Sequence, residues 1–225
     1  MSTCLLSHSF SLRVSQGIGI NLDGISTQRI IMVILRCTHR PISVFLTHDS
    51  NPSAENFRSR KYPNLNPILA ADTTLLRYDV RNKPKDTILS TTYYSNCHTP
   101  CLGTPASHIR LISQAFPWTI EVKSTQGSVT CELIWDAIHL GLQEPLADSE
   151  WGIAVMDRDR RETILNAARK REDKDKDSRL KRIDWLGDTT LFRGLEQDGE
   201  FDKLRLLPRG QGCPETWVVK LSSAL

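Results

Sequence analysis

Cys97, His98 and Cys101, with His108 seven residues on, form the densest group of metal-capable side chains in the sequence. Zinc takes four N or S ligands in a tetrahedron, and its structural sites draw them from paired knuckles. Here one pair stands at C-x3-C spacing and no second pair follows, so a loop with two unpaired thiols is the plainer reading. Cys131, at the start of a helical pattern, is placed where a thiol pKa can fall. His139 follows eight residues later, about 12 Å away at 1.5 Å per residue, which is too far for contact. Cys131 therefore reads first as a small core residue.

Asp157, Asp159 and Glu162 suggest acid/base or metal chemistry, but Arg158, Arg160 and Arg161 alternate with them, and a solvated helix face explains the pattern. Residues 169–182 hold eight bases and four acids with no aromatic platform for stacking bases, which favours an exposed linker over a phosphate-binding segment. Gly17 to Gly24 lacks the third glycine of a dinucleotide fingerprint, and no G-x-S-x-G is present. No catalytic, cofactor-binding or metal residue is assigned, and no cofactor is expected.

The elements that would position these residues can be read from periodicity. Trp118, Ile120 and Val122 alternate with Thr119, Glu121 and Lys123, the period of a half-buried strand. A turn at Ser124–Gly127 leads to Thr130, an N-cap for a helix over Cys131–Leu142, with Gly141 suiting its C-terminal stop. Leu75–Val80 and His108–Ile112 read as further strands, Asn82–Asp86 as a turn, and Thr87–Pro105 as a loop. Asp148 or Ser149 caps one broken helix, or two consecutive ones, over Glu150–Arg171. Arg182–Leu186 and Thr190–Leu195 read as a hairpin reversing at Gly187-Asp188, with Asp184 facing Arg160, Arg161 or Arg182. Phe201, Leu204 and Leu206 mark a short strand, and Trp217–Leu221 a closing one.

Composition narrows the function classes. The 225 residues are 39% hydrophobic and 24% charged, which is ordinary for a globular chain. The net charge of +3 resides in the first 66 residues, where 7 Lys/Arg face 3 Asp/Glu; the remainder carries 22 against 23. The folded part is therefore near neutral, and a nucleic-acid partner is not indicated. Residues 30–35 (I-I-M-V-I-L) are apolar but end at Arg36, short of the roughly 20 residues that a membrane span needs. Six scattered cysteines, no charged leader before an apolar run and no open Asn-x-Ser/Thr acceptor favour an intracellular setting, cytoplasmic or nuclear.

From about Asn66 to Leu221 the chain resembles a family of fungal domains of unknown function, of the kind abundant in basidiomycetes. The words that carry the resemblance are N-P-I-L at Asn66, L-R-Y-D-V at Leu76, G-T-P at Gly103 and P-W-T-I-E-V at Pro117. They continue with the Val129–Leu142 helix, Glu150-Trp151, Arg160-Arg161 and R-I-D-W-L-G-D-T-T-L-F-R-G-L from Arg182. The resemblance implies no established reaction and supplies no catalytic residues. The N-terminal arm and the Cys97–Cys101 loop depart from the family pattern.

The expectation is a loosely ordered arm over residues 1–65 and one α+β domain over 66–225, a small and mostly antiparallel sheet packed on two or three helices. Its expected role is a non-catalytic interaction or structural module with a protein partner. Trp135, Trp151, Trp185 and Trp217 are the large aromatics from which at least one partly exposed contact is expected. The alternative is an enzyme assembled from distant residues, either Cys131, Asp136 and His139, or His98 and His108 with Asp157.

Overall fold

A computed structural model describes residues 31–33, 58–73, 75–125, 127–205, 213 and 215–223, the first three by their backbone alone. Six strands form one mixed sheet: β1 (Ile31–Val33), β2 (Tyr78–Asp79), β3 (His108–Ile112), β4 (Ile120–Lys123), β5 (Leu191–Glu196) and β6 (Thr216–Ser222), in the order β1-β4-β3-β6-β5-β2. The β3–β4, β5–β6 and β2–β5 pairs are antiparallel, while β1–β4 and β3–β6 are parallel. Helices α1 (Pro84–Thr87), α2 (Ser90–Asn96), α3 (Cys131–Gln143), α4 (Asp148–Val155), α5 (Arg158–Asp175) and α6 (Gly199–Arg205) accompany it, with a 3-10 helix at Arg182–Leu186. The class is α+β, as the periodicity predicts.

Strand alternation places Ile109 and Leu111 of β3, Ile120 and Val122 of β4, and Trp217 and Val219 of β6 in the core cluster. Ile134, Trp135, Ile138 and Leu142 of α3 join them at helical spacing. Thr130 caps α3 as expected, its side chain accepting the Leu133 N–H. Gly141 does not end the helix. A Cβ there would stand 3.2 Å from Ile120 Cδ1, so its lack of a side chain lets α3 lie close against β4. Gly194 answers a different demand. With φ +110° at a bulge in β5, its missing Cβ leaves room for the Ala71 backbone, which a methyl would approach to 2.6 Å.

Several local readings are corrected. Arg182–Leu186 is a 3-10 helix and not the first strand of a hairpin. All five of its residues are buried, so apolar alternation carries no facial information there. Asp184 fixes the turn by accepting the Lys181 N–H at 2.8 Å, and Gly187, at φ +57°, ends it. The segment around Phe201 and Leu204 is α6, started by Asp198 accepting the Phe201 N–H at 3.0 Å; Leu206 lies outside the described residues. The Thr87–Pro105 stretch holds α2, which carries no side-chain cap to announce it, and Pro84 opens α1 within the expected turn. Of the two readings of Glu150–Arg171, one broken helix or two consecutive ones, the structure has two, α4 and α5, and the second runs past Arg171 to Asp175. Of the expected arm, the described residues are 31–33 and 58–65, and Tyr62 and Leu65 pack in the core.

Candidate functional site

The residue sets considered for catalysis do not converge. Cys131 is fully buried, 3.4 Å from Thr99 Oγ1, and its burial pushes the thiol up to about 11. His139 points its Nδ1 at the Val80 carbonyl (3.1 Å), and burial lowers its pKa, so a neutral ring donating to that oxygen is the favoured state. His98 is an exposed ring with Glu132 as its nearest carboxylate at 3.6 Å. Asp157 is the N-cap of α5, accepting the Asp159 and Arg160 N–H groups. Cys97 and Cys101 are buried free thiols, and among the described residues no three metal-ligating side chains gather.

Asp136 does carry a consequence. Burial, and then the Glu132 charge, raise its carboxyl to about 6. The folded state therefore holds this proton at a pH where the unfolded chain has lost it, and the associated stability disappears as pH rises through about 6. Asp136→Asn is expected to stabilise the protein by about 1–2 kcal/mol at pH 8, after allowance for the partial exposure of the group, and by little at pH 4. Urea denaturation of both forms at the two pH values reads this directly. Equal gains at both values would contradict it.

Half of the basic run of residues 169–182 lies in α5, and its Arg171 and Arg182 serve the framework. Arg171 Nε and Nη2 each reach an Asp184 oxygen at 2.8 Å, while Nη1 and Nη2 donate to the Asp177 and Arg179 carbonyls. Arg182 lies over the Trp118 ring at 4.9 Å and pairs with Glu150 (Nη2–Oε1, 2.5 Å) and Glu144 (3.2 Å). These pairs bind the 3-10 helix to α5 and α4. Arg160 adds a link by donating to the Trp185 carbonyl at 3.2 Å, so Arg171 takes the place beside Asp184 expected for Arg160, Arg161 or Arg182. A cleft of about 520 Å³ opens beside this network, lined by Arg81, Gln143, Arg171, Lys174, Asp184 and Asp188 among others. Arg171 and Asp184 pair with each other on its wall, which leaves it without a single-sign field.

Two features remain. On the sheet face opposite α3, His108, Arg110, Glu121 and Lys123 stand across from one another in register. Glu121 is buried, its Oε1 accepting Arg110 Nε at 2.8 Å and its Oε2 bound to His108 Nε2. The other ring nitrogen, His108 Nδ1, faces Cys213 Sγ at 3.9 Å. Separately, α4 is apolar on two sides. Ala154 and Trp151 face inward, whereas Ile153, Val155 and the following Met156 are 59%, 44% and 89% exposed.

The model of the family of unknown function DUF6699 matches residues 76–202, more than half of the sequence. The chain belongs to this family. No curated protein and no solved structure matches it. The DUF6699 segment holds α1 to α5, the 3-10 helix, β2 to β5 and the start of α6, hence both buried Arg–carboxylate networks and the exposed face of α4. It also holds His108, Arg110 and Glu121, while Cys213 lies beyond it. Among the described residues no helix is long and apolar enough to cross a membrane. Glu121 and Cys213 escaped the reading of the sequence: a glutamate alternating along a strand resembles any solvent-facing residue, and Cys213 is 105 positions from its histidine.

Proposed function

We propose that the DUF6699 domain of this chain is a protein-interaction module that docks a second copy of the chain through the outer face of α4. The supporting observation is the two-sided apolar character of that helix. Beyond its polar first turn the helix is apolar on both sides, and the outer side chains Ile153, Val155 and Met156 lie open as a patch of the kind that marks an interaction site. Around them, exposed Arg158 and Arg161 alternate with exposed Asp159 and Glu162. A rim carrying both signs side by side is complementary to itself under a twofold axis, where each Arg meets an acid of the other copy.

Covering a large apolar side chain contributes about 1.5–3 kcal/mol, and a twofold contact counts each residue twice, so a modest dimer is within reach after the cost of association. Light scattering on the purified full chain should show mass rising toward a dimer by about 100 µM. The double variant Ile153→Asp, Met156→Asp should remain monomeric with an unchanged unfolding midpoint, because both side chains point outward. A monomer at every concentration, or a dimer that the double variant leaves intact, overturns the reading.

A further inference from the structure

We propose that Cys213, His108 and Glu121 form an acyl-accepting thiol site, able to take an acyl group from an activated ester or thioester. The order of contacts is that of a nucleophile, a base and an orienting carboxylate. Glu121 binds His108 Nε2, and a carboxylate can only accept there, so the neutral ring keeps its proton on Nε2. The lone pair is then on Nδ1, the nitrogen that faces Cys213 Sγ at 3.9 Å. That distance is long for proton transfer at rest, as such contacts commonly are before a substrate is bound. Arg110 Nε holds the second Glu121 oxygen at 2.8 Å and fixes the carboxylate from the other side.

The step balances without an added oxidant or reductant. The Cys213 thiol gives its proton to His108 Nδ1, and the sulfur forms a bond to the acyl carbon. The carbon–oxygen or carbon–sulfur bond of the ester breaks, and the leaving group takes the proton back from the imidazolium. Water, deprotonated by the same nitrogen, then releases the carboxylic acid and restores the thiol. Cys213 and His108 would be catalytic residues and Glu121 a positioning residue. The charged groups facing His108 are Glu121 and Lys123 on β4 and Arg110 on its own strand; Cys213 stands two residues before Glu215, whose carbonyl is 3.7 Å from Sγ. The site uses no residue of α4, so this chemistry stands or falls separately from the docking role of that helix.

The probe is 4-nitrophenyl acetate on the full chain, with the acetylated peptide mapped by mass spectrometry. One equivalent of nitrophenolate should be released in a burst with the acetyl on Cys213, and Cys213→Ser should abolish it. His108→Asn should slow the burst about 100-fold or more. Glu121→Gln should slow the burst about 10-fold or more, and Glu121→Asp should restore part of the rate. An unchanged urea unfolding midpoint shows that each variant is folded. Acetyl groups spread without preference, or a burst indifferent to His108→Asn or to Glu121→Gln, overturns the proposal.

Discussion

Asp184→Ala should destabilise the protein by about 3–5 kcal/mol, the cost of leaving a buried cation without its partner. Asp184 is 2% exposed and receives three donors, two from Arg171 and one from the Lys181 backbone. Its removal strands the Arg171 side chain, which is itself 11% exposed, and unties the start of the 3-10 helix. Asp188→Ala is the control, since the Lys170–Asp188 pair is exposed on both sides and falls in the range of about 0–1 kcal/mol. Chemical denaturation separates the two. The double variant Arg171→Met, Asp184→Leu should recover much of the loss, because apolar replacement of a buried pair is often neutral. If the double variant is no better than the single one, the loss does not arise from a stranded charge.

Trp185→Ala should cost about 3–5 kcal/mol, comparable to the whole stability of a marginal domain. The ring is buried edge-on against Trp118 at 5.8 Å and lies beneath the Arg160 guanidinium at 5.5 Å. Trp118 in turn stacks on Phe116 at 5.0 Å and carries Arg182, so the cavity would open under two cations at once. The unfolding midpoint in urea should fall sharply, with a smaller fall for Trp185→Phe. An unchanged midpoint for Trp185→Ala would place the ring at the surface and contradict the packing.

Local signals made part of the fold legible and hid the rest. Helix α3 announces itself twice, through Thr130 as its cap and through the spacing of Ile134, Ala137, Ile138 and Leu142. Strands β3 and β4 show because one face is apolar and the other polar. The 3-10 helix hides because both of its sides are buried, and a turn held by Asp184 and Arg171 leaves the same apolar alternation as a strand. Helix α6 hides because exposed Leu204 falls at a spacing that suits a strand.

The candidate sites divide in the same way. His108 drew notice as a possible ligand, but its partners come from β4 and from beyond α6, and only the sheet register brings them together. The open face of α4, with Ile153, Val155 and Met156, has no signal in the sequence that sets it apart from a buried one. That Trp151 and Ala154 satisfy the core by themselves is a fact of packing. Of the four tryptophans from which an exposed contact was expected, Trp151 is the half-buried one, and it sits on this helix.

Amide hydrogen exchange on the purified chain, at concentrations below and above self-association, tests the docking face most directly. Protection should rise with concentration in Asp148–Asp159 and the first turns of α5, and stay constant in β3 and β4. Protection rising instead around Leu89 and Tyr94, which are also exposed, or rising nowhere, would show that α4 does not bind a second copy.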